Sequence, residues 1–316
     1  MLATDGVKGR LAESDFSQPK QKLWEKTHMT IRNPIEWSGS QLVHAAHAMR
    51  YAGNSLHHIQ ETIHSPAPAV RRITTADLRD ALKQGFADFE AYRTDVIFLC
   101  VTYVALGLIL ARLAFGMDML PLLFPLASGF AIIGPFAAIG LYEMSRLREQ
   151  GVEVKWTNAF DVFRAPAVGA ISVLGLALIA TFLVWLAAAW AIYDNTLGPA
   201  EPTSIGSFLH DVFFTMPGWT LMAVGIGAGF LFALFAMAIS IVSFPLLLDR
   251  DVGLDTAIRT SIRAVAANPV PMAAWGLIVA GALVLGSIPL FLGLVVVIPV
   301  LGHATWHLYR KLVVVP

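Results

Sequence analysis

From Val96 onward the chain holds five runs without a single Asp, Glu, Lys or Arg: Val96–Ala111, Met119–Tyr142, Ala165–Tyr193, Val212–Leu248 and Ala264–Tyr309. Nothing else narrows the possible folds as much. In hydrocarbon every backbone N–H and C=O must find its partner within the protein, so such runs read as membrane-spanning helices of roughly 17 to 25 residues. Each of the first four fits one span. The fifth would be about 70 Å long as a helix, more than twice the roughly 30 Å hydrocarbon core. Gly286, Ser287 and Pro289 offer it a turn in its middle. The pattern predicts an all-α polytopic membrane protein with six transmembrane helices, at about 96–114, 119–142, 167–193, 219–248, 270–286 and 290–309. Composition agrees: only 14% of the residues are charged, against about 25% in soluble domains.

The basic residues supply an independent check, because Lys and Arg collect on the cytoplasmic loops. Arg71, Arg72, Arg79, Lys83 and Arg93 precede the first span; Arg146, Arg148, Lys155 and Arg164 separate the second from the third. Arg250, Arg259 and Arg263 fall between the fourth and fifth, and Arg310 and Lys311 follow the sixth. The opposite side has Arg112 alone, and its longest loop, Asp194 to Asp211, holds acids without a Lys or Arg. Both termini are therefore expected in the cytoplasm. The first residues are polar and lack the apolar core of a signal peptide. Residues 1–39 read as a disordered polar tail, with Met29 a second candidate start, 40–70 as an amphipathic surface helix and linker, and 71–316 as the membrane domain.

Short amphipathic segments precede the odd-numbered spans. In the first, Leu78, Leu82, Phe86 and Phe89 share a face ringed by Arg79, Asp80, Lys83 and Asp88, and Thr74 with Asp77 resembles a capping box. A second begins at Leu254, with Ile258, Ile262 and Val265 on one face; a shorter one runs through Ala159, Phe160 and Phe163 to Arg164. The pattern suggests three units of interfacial helix followed by a transmembrane hairpin.

The chemistry on offer is sparse. Ion-coupled transport needs ionisable groups at membrane depth, and the spans have only hydroxyls such as Thr102, Ser128, Ser172, Thr181, Ser240 and Ser243, which ordinarily bond their own helix. The 22 basic and 22 acidic residues cancel, which disfavours nucleic acid as a partner. Cys100, the single cysteine, excludes an internal disulfide. No catalytic residues and no cofactor are expected, since the elbow, phosphate-loop and metalloprotease motifs are missing. His303 and His307, four apart on one helical face, are weak candidates for a metal or haem. They sit among Trp306, Tyr309, Arg310 and Lys311, which read as interfacial anchors. His44, His47, His57, His58 and His64 lie on the likeness of a surface helix, where a structural or pH-responsive role outweighs a metal site. Glu143 with Arg146 and Asp249 with Arg250 read as ion pairs at span ends. Gly225 and Gly229 form a GxxxG pair suited to close helix packing.

Four stretches carry a family resemblance: TTADLRDALKQGFADF at Thr74–Phe89, GPFAAIGLYEMSRLREQG at Gly134–Gly151, RTSIRAVAANP at Arg259–Pro269 and PVLGHATWHLYR at Pro299–Arg310. With these, residues 71–316 resemble the bacterial integral membrane proteins grouped as domain of unknown function 2189. The resemblance implies a bacterial inner membrane and no established activity. The expectation is an accessory, scaffold or assembly protein of a membrane complex, or a homo-oligomer, bathed in membrane lipids. The alternatives are a carrier or remodelling factor for lipid or other apolar cargo, and a haem or metal protein using His303 and His307.

Overall fold

A computed structural model describes residues 66–91, 121–198, 202–289 and 292–314. The expected tail at 1–39, Met29, the histidines at 44–64, Cys100, Thr102 and the expected first span at 96–114 lie outside the described residues. Among the described residues the chain is helical, without strands; an isolated antiparallel bridge joins Val70 to Val313. Helix α1 covers 75–91. It is followed by α2 (Leu123–Ala137), α3 (Ile139–Glu149), a 3-10 segment (Trp156–Arg164) and α4 (Val168–Asp194). Then come α5 (Ile205–Phe214), α6 (Met216–Ser240), α7 (Ser243–Asp249), α8 (Leu254–Ala267), α9 (Pro269–Ser287) and α10 (Leu294–Leu312).

Four stretches are long and apolar enough to cross a membrane: α2 with α3 (Phe124–Glu149), α4, α6 with α7 (Met216–Asp249), and α9. They coincide with the expected second to fifth spans. The turn expected around Gly286 and Pro289 separates α9 from α10. There Gly293 lies so close to the Gly286 backbone that a Cβ would sit 2.8 Å from its Cα. Helix α10 occupies the place of the expected sixth span but is not among the four: it is apolar from Leu294 to Leu301 and then turns polar through His303, Thr305, His307, Arg310 and Lys311.

Local sequence explains the helix ends. Ser204 caps α5 by accepting from the Ser207 N–H at 3.0 Å. Thr215 caps α6 in the same way, accepting from Gly218, with Pro217 in the first turn. Gly151, at φ 74°, stops the chain just beyond α3, as glycine does past a helix C-terminus. The hydroxyls of Ser172, Thr181, Ser240 and Ser243 return to carbonyls four residues back at 2.6 to 2.8 Å, so they satisfy their own helices.

Helix α4 buries Ile171, Leu174, Leu178 and Trp185 on one stripe and turns Val173, Leu176, Leu183 and Val184 outward. Against that stripe α2 interlocks: Gly129 lies under the Phe182 ring, and Gly175 of α4 under the Phe136 ring. Trp185 donates from Nε1 to the Pro125 carbonyl at 3.1 Å, so its polar tip is matched inside the bundle. A Cβ added to Gly229 of α6 would lie 3.2 Å from the same indole, whereas a Cβ on Gly225 would meet nothing within 4 Å.

Two amphipathic helices bury faces that only partly overlap those the apolar pattern marks. In α8 the buried residues are Thr256, Ala257, Thr260, Ser261 and Ala264, while Ile262 is exposed. Small residues let the helix lie close, and the Ser261 hydroxyl accepts from the Val242 N–H between α6 and α7 at 3.2 Å. In α1 the buried line is Leu78, Ala81, Gly85 and Asp88, with Phe89 beside it, and Phe86 faces out. The reason is Gly85, whose Cα meets α10 so closely that an added Cβ would collide with the backbone of Ala304. Gly85→Val should therefore force α1 off α10. We expect a loss of about 1–3 kcal/mol, read as a lower midpoint in thermal unfolding in detergent, whereas Phe86→Ala on the exposed side should leave it within about 0.5 kcal/mol.

Candidate functional site

The close crossing of α1 and α10 drives a carboxylate into the protein. Asp88, read from the sequence as part of the charged rim of α1, is 4% exposed. Its Oδ2 accepts from the Ser145 hydroxyl of α3 at 2.6 Å and from His307 Nε2 of α10 at 2.8 Å. Its Oδ1 is ion-paired with Arg148 of α3. Burial pushes the Asp88 carboxyl toward its neutral form and is the largest single influence. The hydrogen bonds from His307 and Ser145, with the field of the two histidines, outweigh it and hold the group below the ordinary carboxylate range.

Proton counting orders the rest. The single hydroxyl proton of Ser145 points at Asp88, so the contact of Ser145 Oγ with His303 Nδ1 at 2.8 Å must take its proton from the ring. His303 thus carries hydrogen on Nδ1. Its Nε2, fully buried, meets no partner of hydrogen-bond geometry among the described residues; the Leu141 backbone lies near enough to exert only a weak pull. In a nucleophilic triad the histidine stands between acid and serine and takes the serine proton. Here the serine stands between acid and histidine, and its proton is already committed.

Four further side chains of α10, Trp306, Tyr309, Arg310 and Lys311, are anchored on three other helices. Arg310 reaches Glu149 of α3 at 2.9 Å and Asp249 of α7 at 3.3 Å, and Lys311 pairs with Asp80 of α1. Trp306 and Tyr309, read as interfacial anchors, are each 1% exposed. Their polar tips donate inward, the indole to Glu149 at 3.0 Å and the phenol to Asp249 at 2.6 Å. The expected pair Glu143 and Arg146 is bidentate, at 2.6 and 2.8 Å. Asp249 and Arg250 stand 3.7 Å apart, Arg250 preferring the Val314 carbonyl at 2.8 Å.

His303 and His307 therefore meet in one network, but each points a nitrogen at a protein partner. Among the described residues no group of three or more His, Cys, Asp or Glu could hold a metal ion. Gly225 and Gly229 lie on α6, outside the network. Ser145, Arg148, Glu149 and Asp249, which complete it, carry no distance information in the sequence. The one readable signal is on α1, where Asp88 falls on the line of Ala81 and Gly85 rather than on that of Arg79 and Lys83.

Apolar spans joined to a buried ionic cluster at one end define an integral membrane protein with several apolar helices. Residues 122–249 match the model of a family described as predicted integral membrane protein, DUF2189. No curated protein and no solved structure matches the chain.

Asp88 gives the fold a pH dependence. A carboxyl depressed on folding stabilises fully above its unfolded pKa of about 3.9, and that contribution disappears as pH falls through the lower folded value. We expect Asp88→Asn to cost about 1–3 kcal/mol at neutral pH, because Arg148 and His307 lose their anion. The gap between wild-type and variant midpoints should begin to narrow in thermal unfolding once the pH falls below about 3.9.

Proposed function

We propose that this protein is a non-catalytic accessory or scaffold protein of a membrane complex, seated in the inner membrane of a bacterium with both termini in the cytoplasm. The observation that carries this reading is the commitment of the polar groups at the α10 end to one another. Asp88, Ser145, His307, Glu149, Asp249, Arg310 and Lys311 each bond a neighbouring helix. Groups so engaged hold four helices in fixed relation, and the Ser145 hydroxyl, the one nucleophile among them, already gives its proton to Asp88.

The orientation draws support from the same contacts. Arg148, Arg250, Arg310 and Lys311 come from three of the basic stretches that the loop pattern assigns to the cytoplasm. Asp88, Asp249, Glu149 and the Val314 carbonyl join them to one end of the bundle. The segments at 75–91, 156–164 and 254–267 stand where three interfacial helices are expected, which favours the three-unit plan. The outward residues of α4, α6 and α9, among them Leu176, Phe230 and Leu277, supply apolar flanks for a partner helix or for lipid.

Extraction into native-lipid nanodiscs followed by mass spectrometry of the intact particle tests the reading. The expected result is a second protein in fixed stoichiometry. A chain that repeatedly comes out alone, or as a homo-oligomer with one selected lipid, would replace it with the carrier reading.

A further inference from the structure

Beside the buried network an open cleft of about 390 Å³ lies between the segment leading into α1, α1 itself and the last turns of α10. Arg71, Arg72, Gln84, His307, Arg310 and Lys311 line it, and Asp77 is the lone carboxylate in its wall. Most of these charges are already matched. Asp77 Oδ2 accepts from the N–H and the hydroxyl of Thr74, both at 2.8 Å. Lys311 is held by Asp80, and Arg310 by Glu149 and Asp249.

Arg71 and Arg72 are different. Both are exposed, and no carboxylate among the described residues lies within 4.0 Å of either guanidinium. Their backbone is nonetheless fixed. Arg71 N–H donates to the Leu312 carbonyl at 2.8 Å, and the Arg71 carbonyl accepts from Asn268 Nδ2 at 3.0 Å. The Ile73 N–H donates to Asn268 Oδ1 at 2.7 Å, and the Val314 N–H to the Ala69 carbonyl at 3.0 Å. Two guanidinium forks without a carboxylate partner among the described residues are thus presented from a tethered segment in the wall of the cleft.

We propose that this cleft binds a phosphate group, with Arg71 and Arg72 as its direct ligands. Apolar cargo has nothing to gain from such walls. Several converging donors suit an anion with several oxygens better than a single carboxylate, and arginine forks match phosphate oxygens pairwise. The phosphate could belong to an anionic phospholipid at the membrane surface or to a soluble phosphate compound, and the binding chemistry is shared.

The test uses the full chain in phosphatidylcholine nanodiscs and two probes. Phosphatidylglycerol is added to the discs and its retention read by native mass spectrometry; inorganic pyrophosphate is titrated by calorimetry. We expect wild type and Arg164→Gln, an exposed cation outside the cleft, to bind at least one probe. The pair Arg71→Gln, Arg72→Gln should bind that probe at least about tenfold more weakly, as loss of charged hydrogen bonds implies, with its thermal midpoint unchanged. Binding of phosphatidylglycerol alone identifies the lipid source, and of pyrophosphate alone the soluble one. Should the Gln pair fail to fold, Arg71→Lys with Arg72→Lys carries the test: it keeps the charge, loses the fork and should bind measurably more weakly than wild type. Failure of both probes to bind wild type, or binding undiminished in the arginine variants, overturns the proposal. Neither result depends on whether a protein partner exists.

Discussion

A carboxylate enclosed by helices has to be matched or neutralised, since an unpaired buried charge costs several kcal/mol. Asp88 is matched by groups from two directions: Ser145 and Arg148 on α3, and His307 on α10. Each partner is useful only if the other helix is also in place, so the contact fixes α1, α3 and α10 together rather than in pairs. Arg148 is partly exposed, and its ion pair is weakened by water accordingly. The firmer part of the arrangement is the pair of hydrogen bonds to Oδ2, which are shielded.

Such an arrangement requires helices to approach more closely than ordinary side chains allow. Gly85 touches the Ala304 backbone, Gly302 lies against Leu141, and Gly140 lies 2.9 Å from Ala159 as measured from an added Cβ. These three contacts flank the network on α1, α10 and α3. In lipid, where burial of apolar surface gains little between helices, close backbone approach and internal hydrogen bonds carry association. The two devices depend on each other here. Without Gly85 the α1 helix would stand off and Asp88 would not reach His307; without the polar match, the close crossing would bury an unsatisfied acid.

Four of the expected helical spans were legible because a charge-free run of sufficient length has few alternatives. The turn at Gly286 and the caps at Ser204 and Thr215 follow from residues that lie within a few positions of one another. The buried faces of α1 and α8 were legible only in part, through Leu78 and Phe89 on α1 and the half-buried Ile258 and Val265 on α8. A search for large apolar residues marks Leu82, Phe86 and Ile262, whereas close packing selects Ala81, Gly85, Ala257 and Ser261. The network itself joins Asp88, Ser145 and His307, separated by 57 and 219 positions from the acid. Each alone reads as a surface group at a span end. Only the helix crossings make them neighbours, and no spacing rule within one helix contains that information.

The way the charges are distributed limits where anything else can bind. Three helices contribute the acids Asp80, Asp88, Glu149 and Asp249, and these engage Arg148, His307, Arg310, Lys311 and the Tyr309 phenol. A ligand competing for Arg310 would have to draw it from two carboxylates and leave both short of a cation, so its net gain would be small. A ligand meeting Arg71 and Arg72 displaces no carboxylate among the described residues. Matched charges hold the helices, and unmatched ones at the same end remain available, so one cluster of residues can be rigid and receptive at once.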